Sequence, residues 1–200
     1  MGFLASLAGK RIVLFGAGVT GSSVIRFLND QGATPILIDE NTVGAVKDFS
    51  SVDLSSITLA IVSPGWKLDH PLIKVVRERG IELISEIDLA WRVKSEIKPN
   101  QKWLALTGTN GKTTTVQMAE AMLLASGFRA RACGNVGEPV IEIVTNADAD
   151  LLILELSSFQ LSWSSEARFF ASAILNIADD HIDWHGSLIP TQALNLQLPI

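Results

Sequence analysis

Between an apolar run and an amphipathic one, the chain reads Thr107-Gly108-Thr109-Asn110-Gly111-Lys112-Thr113-Thr114. A glycine loop that joins a strand to a helix turns its backbone N–H groups toward phosphate oxygens. In such a loop Lys112 places a point charge at the β and γ phosphates, and the Thr113 hydroxyl reaches Mg²⁺. Gly108, Thr109, Asn110, Gly111, Lys112, Thr113 and Thr114 are therefore the expected ATP contacts. The loop departs from the standard pattern, because Leu106 stands five residues before Gly111 where a glycine is usual.

A second glycine loop, Gly16-Ala17-Gly18-Val19-Thr20-Gly21, also follows an apolar run and opens an amphipathic one. Its backbone is suited to a diphosphate at a helix N-terminus, and Asp39 stands where a Rossmann fold sets an acid against a ribose. The readings open at this point are a dinucleotide such as NAD or FAD, a single nucleotide diphosphate, and a tight turn with no ligand. A first unit ending near Lys94 is short for a full dinucleotide domain, and a second nucleotide loop follows it.

Two further stretches carry acids. The apolar run Leu151-Leu152-Ile153-Leu154 ends in Glu155, where P-loop enzymes hold a carboxylate near the metal. Asn176-Ile177-Ala178-Asp179-Asp180-His181-Ile182-Asp183-Trp184-His185-Gly186 crowds acids and imidazoles after another apolar run. That mixture suits a hard cation with a mixed nitrogen and oxygen shell, and equally a capped turn with surface histidines. His70 precedes Pro71 and reads as a turn or cap residue.

Short aliphatic strands that alternate with amphipathic helices must position these loops. Strands are expected at Arg11–Phe15, 35–38, 59–62 and 81–84, with helices at 20–30 and 71–79. The polar, proline-containing stretch 95–102 reads as a linker between a first domain, 1–94, and a second, 103–187. In the second, 103–106 reads as a strand and 113–126 as a helix stopped by Gly127. The runs 151–156 and 171–175 do not alternate, so both are expected to be strands buried on two faces. The fold class is thus α/β, a Rossmann-like domain with a parallel sheet followed by an incomplete P-loop-type ATPase domain.

Composition narrows the partners. A net charge of −5 with no basic run argues against nucleic acid, and no apolar run reaches the length of a membrane span. The single cysteine, Cys133, cannot form an internal disulfide, and the apolar start lacks the leading charges of a signal peptide. The expected location is the cytoplasm.

Residues 107–114, Glu155-Leu156-Ser157-Ser158-Phe159-Gln160-Leu161 and Asp180-His181-Ile182-Asp183-Trp184-His185-Gly186 together resemble the Mur ligase family of peptidoglycan synthesis. The stretch that follows Glu155 is similar to that of the D-glutamate-adding branch. Gly134-Asn135-Val136-Gly137-Glu138-Pro139 and Ser63-Pro64-Gly65 resemble further family stretches, and the match runs from about Lys10 to Ser187. The resemblance implies an ADP-forming ligase that uses ATP and Mg²⁺ to join D-glutamate to UDP-N-acetylmuramoyl-L-alanine through an acyl phosphate. It sets the UDP substrate against Gly18, Val19, Thr20, Asp39, Gly65, Asn135 and His181. It makes Lys112, Glu155 and His181 catalytic, with Thr113, Glu155 and His181 at the metal. Trp66, Asp69, Trp184 and His185 receive no role beyond surface or pocket wall.

The chain departs from this family at its far end. No lysine follows Lys112, although the family needs a carbamylated one beyond its histidine motif, and residues 188–200 carry no charge and resemble nothing in it. The expectation is a truncated chain that lacks the family's third domain and is inactive alone. The competing expectations are a UDP-sugar-binding module without turnover and an NAD(P)-dependent oxidoreductase.

Overall fold

The structure, a computed structural model, describes residues 2–135 and 137–178. Two branched aliphatic runs, Arg11–Phe15 (β1) and Ile57–Val62 (β3), form the centre of a first sheet flanked by Thr34–Ile38 (β2) and Glu82–Ser85 (β4). All pairings are parallel, in the order β2-β1-β3-β4. Parallel neighbours require crossovers, and Val19–Asp30 (α2) and Pro71–Glu78 (α3) supply two of them. Side chains alternate across a strand, so Ile12 and Leu14 enter one apolar cluster while Val13 and Phe15 enter another on the opposite face. A short helix ahead of this sheet, Phe3–Leu7 (α1), places Leu7 in the core.

Ser85 caps the next helix, Glu86–Ile97 (α4), by accepting from the Asp88 backbone N–H at 3.0 Å. The polar stretch read as a linker begins as the last turn of this helix. It is then tied down: Lys94 Nζ donates to the Pro99 carbonyl at 3.0 Å and Gln101 Nε2 to the Ala149 carbonyl at 2.8 Å.

The second sheet has the order β6-β7-β5-β8, again wholly parallel, from Lys102–Thr107 (β5), Ala130–Gly134 (β6), Leu151–Glu155 (β7) and Ala171–Ile174 (β8). Its helices are Lys112–Ala125 (α5), Val140–Asn146 (α6) and Ser158–Trp163 (α7). Strands β7 and β8 lie on either side of β5. β7 is buried as its unbroken apolar run predicts, but β8 is not: Ala171 and Ala173 are exposed. Position explains the difference. Among the described residues β8 pairs with β5 alone, so it is an edge strand.

The two sheets share one core. Leu14 and Ile61 from the first sheet, Ile87 and Val93 from α4, Ile141 and Val144 from α6, and Leu152 and Leu154 from β7 belong to a single buried cluster. Polar ties reinforce the seam. The fully buried Asp88 carboxylate accepts from the backbone N–H groups of Ser165, Glu166 and Ala167, and Arg92 pairs with Glu166. Arg26 pairs with Glu142 across the same boundary. No helix among the described residues is long and apolar enough to cross a membrane.

Candidate active site

Strand β5 delivers the glycine loop, and α5 receives it. Gly108 has φ +145° and Gly111 has φ +80°, in the region that L side chains rarely adopt, so both turns depend on glycine. Gly111 is the N-cap of α5 and among the described residues no side chain caps the helix, which leaves its first-turn N–H groups available to an anion. Lys112 Nζ lies over the loop and donates to the carbonyls of Gly108 at 2.6 Å and Thr109 at 3.0 Å.

Glu155 ends β7 beside this helix start and is 2% exposed. Thr113 Oγ1 donates to one of its oxygens at 2.8 Å, and Asn135 Nδ2 donates to the other at 3.2 Å. The Asn135 backbone N–H also donates to the Glu155 carbonyl at 2.9 Å. This wrap needs a glycine before it, because a Cβ at Gly134 would stand 2.4 Å from that carbonyl oxygen. A hydroxyl, a carboxylate and a carboxamide thus converge at the loop, an oxygen-rich donor set that fits a hard divalent cation.

At the C-terminal ends of the first sheet's strands lies a cavity of about 590 Å³, lined by residues 16–21, 39–41 and 63–67 together with His70. It opens at β1, where the chain's crossovers diverge to β2 on one side and β3 on the other, the usual ligand position in such sheets. Gly18 caps α2 without a side-chain bond, so this helix too presents free N–H groups. Gly21 packs so closely that a Cβ there would lie 2.0 Å from the Gly16 carbonyl oxygen. Asp39 accepts from the N–H groups of Ala17 at 3.0 Å, Asn41 at 3.0 Å and Thr42 at 2.8 Å. Partial burial pulls its pKa upward, but those hydrogen bonds prevail and hold it below the usual carboxylate value. Trp66 forms one wall, edge-on to Phe15 and His70 with ring centroids at 5.0 and 4.6 Å.

Comparison with known proteins decides the family. Residues 10–85 match the MurD-like N-terminal domain of Mur ligases, and residues 106–190 match the Mur ligase middle domain. The chain belongs to the Mur ligase family. It is 39% identical over 92% of its length to a UDP-N-acetylmuramoylalanine--D-glutamate ligase of Nocardia farcinica, of which it covers 42%. It is 42% identical over 94% of its length to the protein of the same name from Thermobifida fusca, of which it covers 43%. The chain thus spans about four tenths of the length of these relatives. Among solved structures, it resembles the UDP-N-acetylmuramate:L-alanyl-gamma-D-glutamyl-meso-diaminopimelate ligase from Neisseria meningitides. That likeness has a TM-score of 0.55 at 16% identity, covering 94% of this chain and 66% of that one, and it bears on the fold alone.

Within this Mur ligase chain, Lys112, Thr113, Glu155 and Asn135 stand together at the second-sheet loop, while Gly18, Val19, Thr20, Asp39 and Gly65 ring the first-sheet cavity. His181, Trp184 and His185 lie outside the described residues. His70 is the N-cap of α3, accepting from the Leu72 N–H through Nδ1 at 3.2 Å.

Sequence reasoning included two residues in longer motifs without giving either a role of its own. Gln160 completes a capping box with Ser157 at the start of α7, a pairing that the Ser-x-x-Gln spacing signals. Asn176, the residue two past β8, meets the glycine loop; its only sequence signal was its place after an apolar strand.

Proposed function

We propose that this chain supplies the UDP-substrate domain and the ATP loop of an ADP-forming ligase that adds D-glutamate to UDP-N-acetylmuramoyl-L-alanine in peptidoglycan synthesis. The observation that carries the reading is the buried Glu155 carboxylate held 2.8 Å from the Thr113 hydroxyl beside the Lys112 loop. The names of the curated relatives support the choice of substrates.

In this reading Lys112 leaves the loop carbonyls for the transferring phosphoryl group, whose charge it offsets. Thr113 and Glu155 hold Mg²⁺, with His181 added by the family motif. When bound, the ion supplies positive charge beside the phosphate oxygens. The alanyl carboxylate attacks the γ-phosphorus and ADP departs, leaving an acyl phosphate. The amine of D-glutamate then attacks the acyl carbon, loses a proton and expels phosphate. Gly18, Val19, Thr20, Asp39 and Gly65 hold the UDP end, and Asn135 faces the muramoyl portion. The reaction draws on ATP, and the cytoplasm is its proposed location.

Calorimetry of the purified chain with UDP-N-acetylmuramoyl-L-alanine, ATP and NAD, followed by assay of D-glutamate-dependent phosphate release, tests the proposal. Heat from the UDP ligand and from ATP, and none from NAD, is expected. Tight NAD binding with no response to the UDP ligand would overturn it. Ligand binding without phosphate release would reduce this chain to a binding module.

A further inference from the structure

We infer that Asn176 is a positioning residue for the phosphate loop, bracketing the Asn110 peptide so that anion recognition falls to the first turn of α5. The inference rests on reading residues 108–114 as the phosphate site. Asn176 Oδ1 accepts from the Asn110 N–H at 2.9 Å, and Asn176 Nδ2 donates to the Asn110 carbonyl at 2.9 Å. One carboxamide therefore engages both polar groups of a single residue, which only a side chain with a donor and an acceptor at that spacing can do.

The backbone extends the grip. The Thr109 N–H donates to the Asn176 carbonyl at 3.2 Å, and the Ala178 N–H donates to Thr109 Oγ1 at 3.0 Å. Glycine at 108 permits this approach, since a Cβ there would stand 3.1 Å from the Asn176 carbonyl oxygen. Meanwhile Lys112 Nζ takes the carbonyls of Gly108 and Thr109. The N–H groups of Thr109 and Asn110 thus face the segment leaving β8, and among the described residues the uncapped start of α5 is what remains for phosphate. A glycine loop held in this way loses less freedom when a nucleotide arrives.

The test uses the full chain with N176A and N176D, read by residue-resolved amide hydrogen exchange and by ATP calorimetry. In N176A, exchange at Asn110 rises about tenfold or more while Thr109, bonded to the backbone carbonyl of residue 176, keeps its protection. N176D retains an acceptor and keeps Asn110 protected, but sets an oxygen against the Asn110 carbonyl. Both variants bind ATP roughly tenfold more weakly than the parent, with the melting midpoint unchanged. Unaltered exchange at Asn110 in N176A overturns the bracket. Exposed Asn110 with undiminished ATP affinity overturns the positioning role, and so does joint loss of protection at Thr109 and Asn110 with a lowered midpoint, which marks a merely structural residue. A parent chain that gives no ATP response defeats the phosphate-site reading, while the exchange pattern still decides the bracket.

Discussion

Glu155 shows how a carboxyl side chain is kept beneath a surface with no ion pair among the described residues. Its two oxygens are met by the Thr113 hydroxyl and the Asn135 carboxamide, both of which sit on exposed residues. Replacement by glutamine keeps the shape and removes the charge. Water can rehydrate the outer partners, so Glu155→Gln is expected to cost within about 1 kcal/mol of stability. Its Mg²⁺-dependent ATP binding is expected to fall tenfold or more, because a charged acceptor is lost. Thermal melts and calorimetry on one preparation separate the two effects. At Cys133, burial first, then the charges of Glu120 and Glu138, pushes the thiol up to about 12. It is expected to resist maleimide at neutral pH in the folded chain and to react at the rate of unfolding, measured by mass spectrometry during a denaturant series.

At the scale of elements, the glycine loops make the sharpest demand. In Gly21→Ala the new Cβ would lie 2.0 Å from the Gly16 carbonyl oxygen, so α2 must move off the loop. The expected result is destabilisation of about 1–3 kcal/mol and loss of UDP-ligand binding, with ATP binding retained; melting and two titrations check it. These loops and the strands feeding them were legible in the sequence because glycine spacing and unbroken aliphatic runs are strong local signals. Helix α4 was not, since its polar last turn runs into a proline-containing stretch that looks like a linker. Strand β6 was missed for another reason. Arg131 interrupts it, and it becomes a strand only because β7 lies beside it. The partners of Asp88 were also invisible, lying more than 70 residues along the chain from it.

For the molecule as a whole, the shared core joins the two sheets into one cooperative body, and a single unfolding transition is expected whether Trp103 or Trp66 reports it. Glu86 makes that body sensitive to pH. It is 3% exposed at the seam, one oxygen accepts from Gln160 at 3.3 Å, and the other has no partner among the described residues. Burial, with Asp88 adding, pushes its carboxyl up to about 7. The folded state therefore binds the proton more tightly than the unfolded chain does. Stability is fully present below the unfolded value near 4.5 and declines as pH rises toward 7. The decline attributable to this group is on the order of 2–3 kcal/mol, and Glu86→Gln is expected to remove it, flattening the melting midpoint between pH 5 and 8.

Helix α7 runs from the neighbourhood of Glu155 to Trp163, whose indole N–H donates to the Trp66 carbonyl on the wall of the first cavity at 2.9 Å. Its 6 residues are fixed at one end by the capping box and at the other by that bond. Such a helix is a strut roughly 9 Å long that ties the end of β7 to the wall of the first-sheet cavity. On the proposed function, a substrate held in that cavity and reacting at the loop would have to bridge the separation that this strut helps to fix.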